Sequence, residues 1–528
     1  MSRNSIKDAR YRLSRETGTI TKDWGGRLPI ALIYPNSYYI GMSSLGIHAI
    51  YSLLNGYQNV VCERFFLEKE DKAPLLSLES RRSLPDFSVL AFSISYELDY
   101  FNVVKILKES GIPLYAADRD ERHPLVIAGG PCITANPMPL LPFFDCLCIG
   151  EAEVILPQML TVINDEANKR FETIKRLASL PGVYAPQVDN DAPVTRQWVN
   201  DTDAFPTHSI IMTPDTELGD LYLIEVERGC GHGCRFCMVS NTFSPVRFRS
   251  IDNLVAQAEE GLKYRKRIGL VGPAVSDHPQ FEELLSRLQQ MGAELSVSSL
   301  RIRPLSLKAL EEVARGKTKS IALAPEAGSQ RLRDIIKKGI SEGDIDKAIE
   351  MVAKQSIKQL RLYFMIGLPT ETDADIREII DLSLNCKGIL DRQNPGCRIT
   401  LSIASFVPKA GTPFQWLPME ELATLNRRLS MLKKQLTPLG IQVKAESPAW
   451  SRVQGALARG DTGLSEVLAN IEDISLSGWR KAVEKYGIDT DSYLSRRLDT
   501  SENLPWSVID SGAKPGHLEA EMHIAMKA

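Results

Sequence analysis

Three cysteines fall within eight residues of the stretch ERGCGHGCRFCMVS: Cys230, Cys234 and Cys237, spaced CxxxCxxC. Thiolates at such spacing are ligands for zinc or for iron–sulfur clusters. A structural zinc site is closed by four protein ligands, and no fourth cysteine follows nearby. His232 is the nearest substitute, but it sits between two of the cysteines in a glycine-flanked loop, poorly placed to turn back onto the same ion. The second CxxC of a zinc ribbon is absent. A catalytic zinc with one open position is chemically allowed. A cubane cluster on three thiolates instead leaves one iron open to a small molecule, and Gly229, Gly231 and Gly233 let backbone amides approach its sulfides. What fills the fourth position is the first question the residues pose.

The elements that must position this loop form two β/α series. From residue 220 the runs LYLIEVE, IGLVGP, ELSVSSL, SIALAPE, QLRLYFMIGLP and RITLSIASFVP read as strands, separated by helical patterns such as DNLVAQAEEGLKYRKR and PQFEELLSRLQQMG. Consecutive β/α units predict a partial (β/α)6 TIM barrel over 216–419. The cysteine loop leaves the C-terminal end of its first strand, where barrel active sites are built. Upstream, LPIALIYP, VVCERFF, FSVLAFSIS, HPLVIAGG and FDCLCIG read as fully apolar strands alternating with helices such as SSLGIHAIYSLLN. That pattern predicts a parallel sheet covered on both faces, a Rossmann-like domain over 28–165. An N-terminal extension (1–27), a linker rich in Pro, Asp and Asn (166–215) and a mainly helical region (420–528) complete the expected organisation. The fold class expected is α/β.

CxxxCxxC with an aromatic residue before the last cysteine (Phe236), following the first strand of a β/α series, resembles the radical S-adenosylmethionine (radical SAM) superfamily. The resemblance implies a 4Fe–4S cluster on Cys230, Cys234 and Cys237, with SAM chelating the fourth iron through its amine and carboxylate. Reductive cleavage of SAM then gives a 5′-deoxyadenosyl radical, with electrons from a donor such as flavodoxin or ferredoxin. LAPEAGSQRLRDIIKKG resembles the fourth-strand segment that contacts SAM, which implicates Glu326; the residue alone also reads as a cap on the following helix. LYFMIGLPTET resembles the fifth-strand segment packed on adenine, which implicates Gly367 and Pro369. The second-strand motif reads Val271-Gly272-Pro273-Ala274. Gly272 and Pro273 match it, but its usual acidic residue is missing.

In an open parallel sheet, ligands sit beyond the strand C-termini. Here those ends carry Ser93, Ser95 and Tyr96, then Gly129, Gly130 and Pro131, then Gly150 and Glu151. AGGP…NP…FFDCLCIGEAE ahead of a CxxxCxxC barrel resembles radical SAM proteins with a cobalamin-binding N-terminal domain, in a bacterial branch of that group. SFVPKAGTPFQW and LPWSVID extend the likeness toward the C-terminus. It implies cobalamin-dependent methylation of an unactivated carbon. None of the seven histidines lies in an Asp-x-His-x-x-Gly loop that would ligate cobalt from below; His48 falls inside a predicted helix and His123 at a strand start.

Two other readings stay open on sequence. One is a radical SAM enzyme with a relic N-terminal domain, performing a cobalamin-independent rearrangement, cyclisation, or RNA or protein modification. Methylthiotransferases fit less well, since Cys62, Cys132, Cys146 and Cys148 make no obvious second cluster set. The other is a non-enzymatic metal-cluster protein, which leaves Glu326 and the strand-end glycines without a role. The bulk properties restrict partners. The 528 residues carry a net charge of -3 with 43% hydrophobic and 24% charged residues, so no basic footprint for nucleic acid appears. No membrane-length apolar run or secretory h-region is visible, and nine cysteines without an even framework point to a cytoplasmic protein. Trp450 and Trp506 read as core residues before substrate stackers. The substrate is not legible.

Overall fold

The computed structural model describes residues 10–68, 75–165, 169–188, 192–297, 300–315 and 319–527. Residues 1–9 of the expected extension, 166–168 and 189–191 of the expected linker, 298–299 of the run ELSVSSL, and residue 528 lie outside them.

The first sheet is built from β1 (Leu28–Tyr34), β2 (Val60–Phe66), β3 (Val89–Ser93), β4 (Leu125–Gly129), β5 (Cys146–Cys148) and β6 (Val183–Tyr184), in the order β2-β1-β3-β4-β5-β6. All neighbours are parallel except β5 and β6. Side chains alternate across β1: Ile30, Leu32 and Tyr34 enter one core and Ala31 and Ile33 the other, so both faces are covered. The order reverses between β1 and β3, the switch point where such sheets open a crevice at their C-terminal ends. The helices Leu45–Gly56 and Ala152–Asp165 cover the first face. The extension is tied to this sheet by Arg64, buried between Glu16 and Glu79 with a 2.7 Å contact to each.

The segment expected to be a linker is structured in part. It supplies the helix Arg170–Ala178, strand β6 of the first sheet, and β7 (Val194–Thr195). Gln197 also bridges in parallel to Gly150 at the end of the first sheet.

The second series forms two parallel sheets. β8 (Tyr222–Glu225), β11 (Arg267–Val271) and β12 (Glu294–Val297) make one, ordered β12-β11-β8. β13 (Ser320–Glu326), β14 (Gln359–Ile366), β15 (Arg398–Ser405) and β16 (Gln442–Ala445) make the other in chain order. Between β8 and β11 in the chain, β9 (Glu227–Arg228) pairs with β10 (Arg247–Phe248) beside the cysteine loop. β16 was not expected, because its QVKA sequence has no apolar run and sits where helix was anticipated. The long helix Asp373–Gln393 starts at a capping box of Thr372 and Asp375.

Helices dominate after residue 420, and the region packs back on both series. Phe101 meets Trp450 and Trp479 edge to face, with centroids 6.3 and 5.7 Å apart. Trp506 donates its indole N–H to Gln415 at 2.8 Å. Trp450 packs partly buried against the core, and Trp506 is buried at the wall of a cavity of about 240 Å³. The last strand, β17 (Ile509–Asp510), pairs with β7. The six cysteines outside the loop are all buried. No described helix is long and apolar enough to cross a membrane.

Candidate active site

Cys230, Cys234 and Cys237 line one cavity of about 330 Å³, together with Phe236, Pro273, Glu326 and Lys338. The loop is held from several sides. Gly229 has φ +75°, and a Cβ there would lie 2.5 Å from the Phe243 carbonyl oxygen, so only glycine fits. Asn241 Nδ2 donates to the carbonyls of Cys234 and Cys237 at 2.9 and 2.8 Å. Arg235 donates to the carbonyls of Asp334 and Ile335, at the end of the helix Gln330–Ile335, and pairs with Glu521 at 2.9 Å.

Burial raises the Cys230 thiol and pushes Cys234 up to about 11. Metal binding at these positions must displace protons. Sulfurs sharing one zinc at about 2.3 Å stand within about 4 Å of each other. Among the described residues, no three His, Cys, Asp or Glu side chains gather as they would around a single ion. Three thiols on one cavity wall are a donor set for a cluster that takes each sulfur at a separate iron.

Glu326 ends β13 with φ +68°, a conformation that costs free energy in a non-glycine residue. Its Oε1 accepts from Lys338 Nζ at 3.0 Å. The following helix is capped by Ser329, whose Oγ accepts from the Leu332 N–H, so Glu326 is not its cap. Gly367 and Pro369 do not line the cavity. Gly367 has φ +81°, and a Cβ there would come 2.7 Å from Leu425 Cδ2, so this glycine permits close packing against the helix Leu422–Leu436.

One acidic residue escaped the sequence reading although it lies in the opening stretch. Glu227 accepts a hydrogen bond from the Ala274 N–H through Oε1, while Oε2 is buried with no partner among the described residues. A Cβ on Gly272 would stand 2.9 Å from Glu227 Cγ, so the second-strand glycine makes room for this side chain. Burial pushes the carboxyl up to about 7. Glu227, His232 and Asp277 line a cavity of about 410 Å³ that shares Cys230, His232 and Ala274 with the thiol cavity. His232 Nε2 contacts Asp277 Oδ2, and Arg301 Nη1 lies 3.3 Å from the same oxygen. No spacing rule links residues 227 and 274; only the β8–β11 register brings them together.

A second cavity, of about 340 Å³, opens at the C-terminal ends of the first sheet. Ser93, Ser95, Gly129, Gly130, Pro131, Gly150 and Glu151 line it. Tyr96 does not; it is 41% exposed. The interior is apolar, with Leu32 and Ile127 from the sheet facing Ile50 and Leu53 of the helix Leu45–Gly56. Gly130 has φ +113°, and a Cβ there would lie 2.5 Å from the Ile94 carbonyl oxygen. Among the described residues no histidine lines this cavity. His48 is buried in its helix, its Nε2 toward the Met42 carbonyl and its Nδ1 accepting from the N–H groups of Ile210 and Ile211. The mouth is charged: Arg228 pairs with Glu151, Glu153 and Glu225. Phe243 and Glu225 belong to the second series, so both series wall this cavity.

The chain belongs to the radical SAM superfamily. The family model described as "Radical SAM superfamily" matches residues 224–383, and "Radical SAM proteins, N-terminal" matches 46–186. Uncharacterized protein MJ0966 of Methanocaldococcus jannaschii is 34% identical over 447 residues, 83% of this chain and 90% of that protein. The ribosomal protein uS12 methylthiotransferase RimO of Thermotoga petrophila is 21% identical over 229 residues, 37% of this chain and 53% of that one. Among solved structures, the cobalamin-dependent radical enzyme OxsB, with aqua-cobalamin and SAM bound, superposes with a TM-score of 0.52 at 12% identity. The match covers 88% of this chain and 72% of OxsB. At that identity the likeness is one of fold. Membership in the superfamily implies SAM and an iron–sulfur cluster.

Proposed function

We propose that this radical SAM enzyme holds its 4Fe–4S cluster on Cys230, Cys234 and Cys237 and cobalamin in the Gly129–Gly130–Pro131 cavity, for methylation of an unactivated carbon. The two parallel sheets of the second series are read as arcs of one partial barrel, and the first sheet as a Rossmann-like domain docked beside it. The observation that carries the reading is the second cavity. It lies at a sheet switch point, is lined by small residues at three strand ends, and is walled partly by the series that bears the cysteine loop.

When bound, the cluster supplies reductive cleavage of SAM and cobalamin supplies the transferable methyl group. The chain's own residues bind and orient. Asn241 and Arg235 fix the loop that presents the thiols. Glu227 offers an unpartnered carboxylate oxygen suited to the ammonium of SAM, in place of the acidic residue that the second strand lacks. Glu326, steadied by Lys338, offers a second polar contact at the fourth strand. The apolar depth of the second cavity would suit a flat ring, and its described lining residues include no histidine to ligate a metal. The electron comes from a small donor protein such as flavodoxin or ferredoxin.

The test is the cofactor content of anaerobically reconstituted protein: iron, sulfide and cobalamin per chain, beside SAM cleavage. About one cobalamin per chain, with a spectrum free of histidine ligation, supports the reading. Protein that cleaves SAM but binds no cobalamin overturns the methylation half and leaves a relic domain.

A further inference from the structure

The charges at the mouth of the second cavity do not balance, and the imbalance is confined to one residue. Arg228, Arg247 and Arg249 share Glu151, Glu153 and Glu225 in a connected set of ion pairs. Three guanidiniums thus meet three carboxylates. Arg196 also lines the cavity but stands outside that set. It is 1% exposed. Among the described residues no carboxylate pairs with it. Its Nε donates to the Ser511 carbonyl and its Nη2 to that of Ser244, while Nη1 is buried without a partner. Glu151 acts on it only at longer range, and a buried cation with neither a direct ion pair nor full hydrogen bonding is costly unless something else completes it.

The position is also rigid. The Arg196 N–H donates to the Asp510 carbonyl, and the Gln197 N–H donates to that of Ile149. The guanidinium lies over the Trp198 ring, 4.6 Å from its centroid. Gly150, with φ +130°, allows this closeness, since a Cβ there would stand 2.1 Å from the Gln197 carbonyl oxygen. The guanidinium is therefore held at the cavity wall before any ligand arrives, which lowers the ordering cost of binding.

We propose that Arg196 pairs with the anionic group of the molecule held in this cavity, a phosphodiester on the nucleotide arm of a corrinoid. The assignment rests on the cobalamin reading above. The chemistry is selective, because cobalamin carries one phosphodiester and its other peripheral arms are neutral amides. Arginine is also the side chain whose planar fork matches phosphate oxygens.

The experiment compares hydroxocobalamin with cobinamide, the corrinoid that lacks the nucleotide arm and its phosphodiester. Binding is measured spectroscopically on the full chain with its cluster assembled. Wild-type protein is expected to bind cobalamin at least about tenfold tighter than cobinamide. Arg196→Gln should abolish that preference by weakening cobalamin alone, and Arg196→Lys should restore part of it. Unchanged cobinamide affinity in Arg196→Gln also shows that the variant is folded. If Arg196→Gln does not fold, the wild-type ratio and its decline with added salt decide the same question. Wild-type protein that binds the two corrinoids equally overturns the assignment of Arg196 alone, as does a variant that loses both in step. Wild-type protein that binds neither overturns the cobalamin reading and this assignment with it.

Discussion

Lys338 Nζ stands 3.0 Å from Glu326 Oε1 at the wall of the thiol cavity. The carboxylate is held there by a backbone at φ +68°, and the helix after it has its own cap in Ser329. A residue in a costly conformation, on the same cavity wall as three thiols, is a candidate for a ligand contact.

Glu326→Gln should therefore weaken SAM binding while the cluster still assembles. A hydrogen bond to a charged group contributes about 1.5–3 kcal/mol, or roughly tenfold to a hundredfold in affinity. Equilibrium dialysis with labelled SAM reads the change, and iron content is the control. An unaltered dissociation constant removes Glu326 from the site.

Replacing Cys230, Cys234 or Cys237 by Ala should cost iron, sulfide and SAM cleavage together. Cys386→Ala, in a core made by the helix Asp373–Gln393, should keep all three. Its expected penalty is about 1 kcal/mol of stability, that of a small buried cavity. Near-normal SAM cleavage by Cys234→Ala would remove the cluster from these residues.

Filling the second cavity should separate the two cofactors. A large residue at Gly130 would collide with the Ile94 backbone, so its effect would mix strain with occlusion. Ala49, on the helix that walls the cavity, is the better position. Ala49→Phe should lower cobalamin content while iron content and SAM binding persist; equal cobalamin content in variant and wild type would move the ligand elsewhere.

The strand ends were legible in the sequence because each is local. CxxxCxxC, Gly129-Gly130-Pro131 and Gly150-Glu151 declare themselves through spacing and through the apolar run before them. Glu227 and Arg196 were not legible, for a shared reason: their partners lie far along the chain. Glu227 meets Ala274 across a strand pair, and Arg196 gains its place from Ser244 and Ser511. Arg196 also sits in a Pro- and Asp-rich stretch whose composition reads as linker. Gly367 lies at a strand end as expected, and its positive φ also permits close contact with Leu425, a packing role that spacing does not reveal. Tyr96 follows Ser95 in the chain without joining its cavity.

His48 should give the fold an acid-sensitive seam between the first sheet and the segment leading to β8. Its Nδ1 accepts from Ile210 and Ile211 N–H groups, and protonation would break both bonds. Burial, helped by Arg64, pushes the imidazole down to about 4. The folded state thus binds fewer protons than the unfolded state between about pH 6.5 and pH 4. Stability from this group is present above pH 6.5 and is lost as pH falls toward 4, by up to about 1.4 kcal/mol per pH unit. Urea titrations of wild type and His48→Gln across that window should converge at the acid end; parallel curves would show that His48 does not titrate there.

The pairing of β7 with β17 joins residues made at very different times on the ribosome. Arg196 leaves the exit tunnel long before Asp510 and Ser511, which accept from its backbone N–H and its Nε. At about 5–20 residues per second, the delay is roughly 15–60 s. Until then Arg196 lacks two of the contacts that fix it at the cavity wall, although every strand of the first sheet has been made. The cavity wall at Arg196 is thus finished only by a stretch made roughly 300 residues later, and a nascent polypeptide stalled between the two holds its arginine by Ser244 and Trp198 alone.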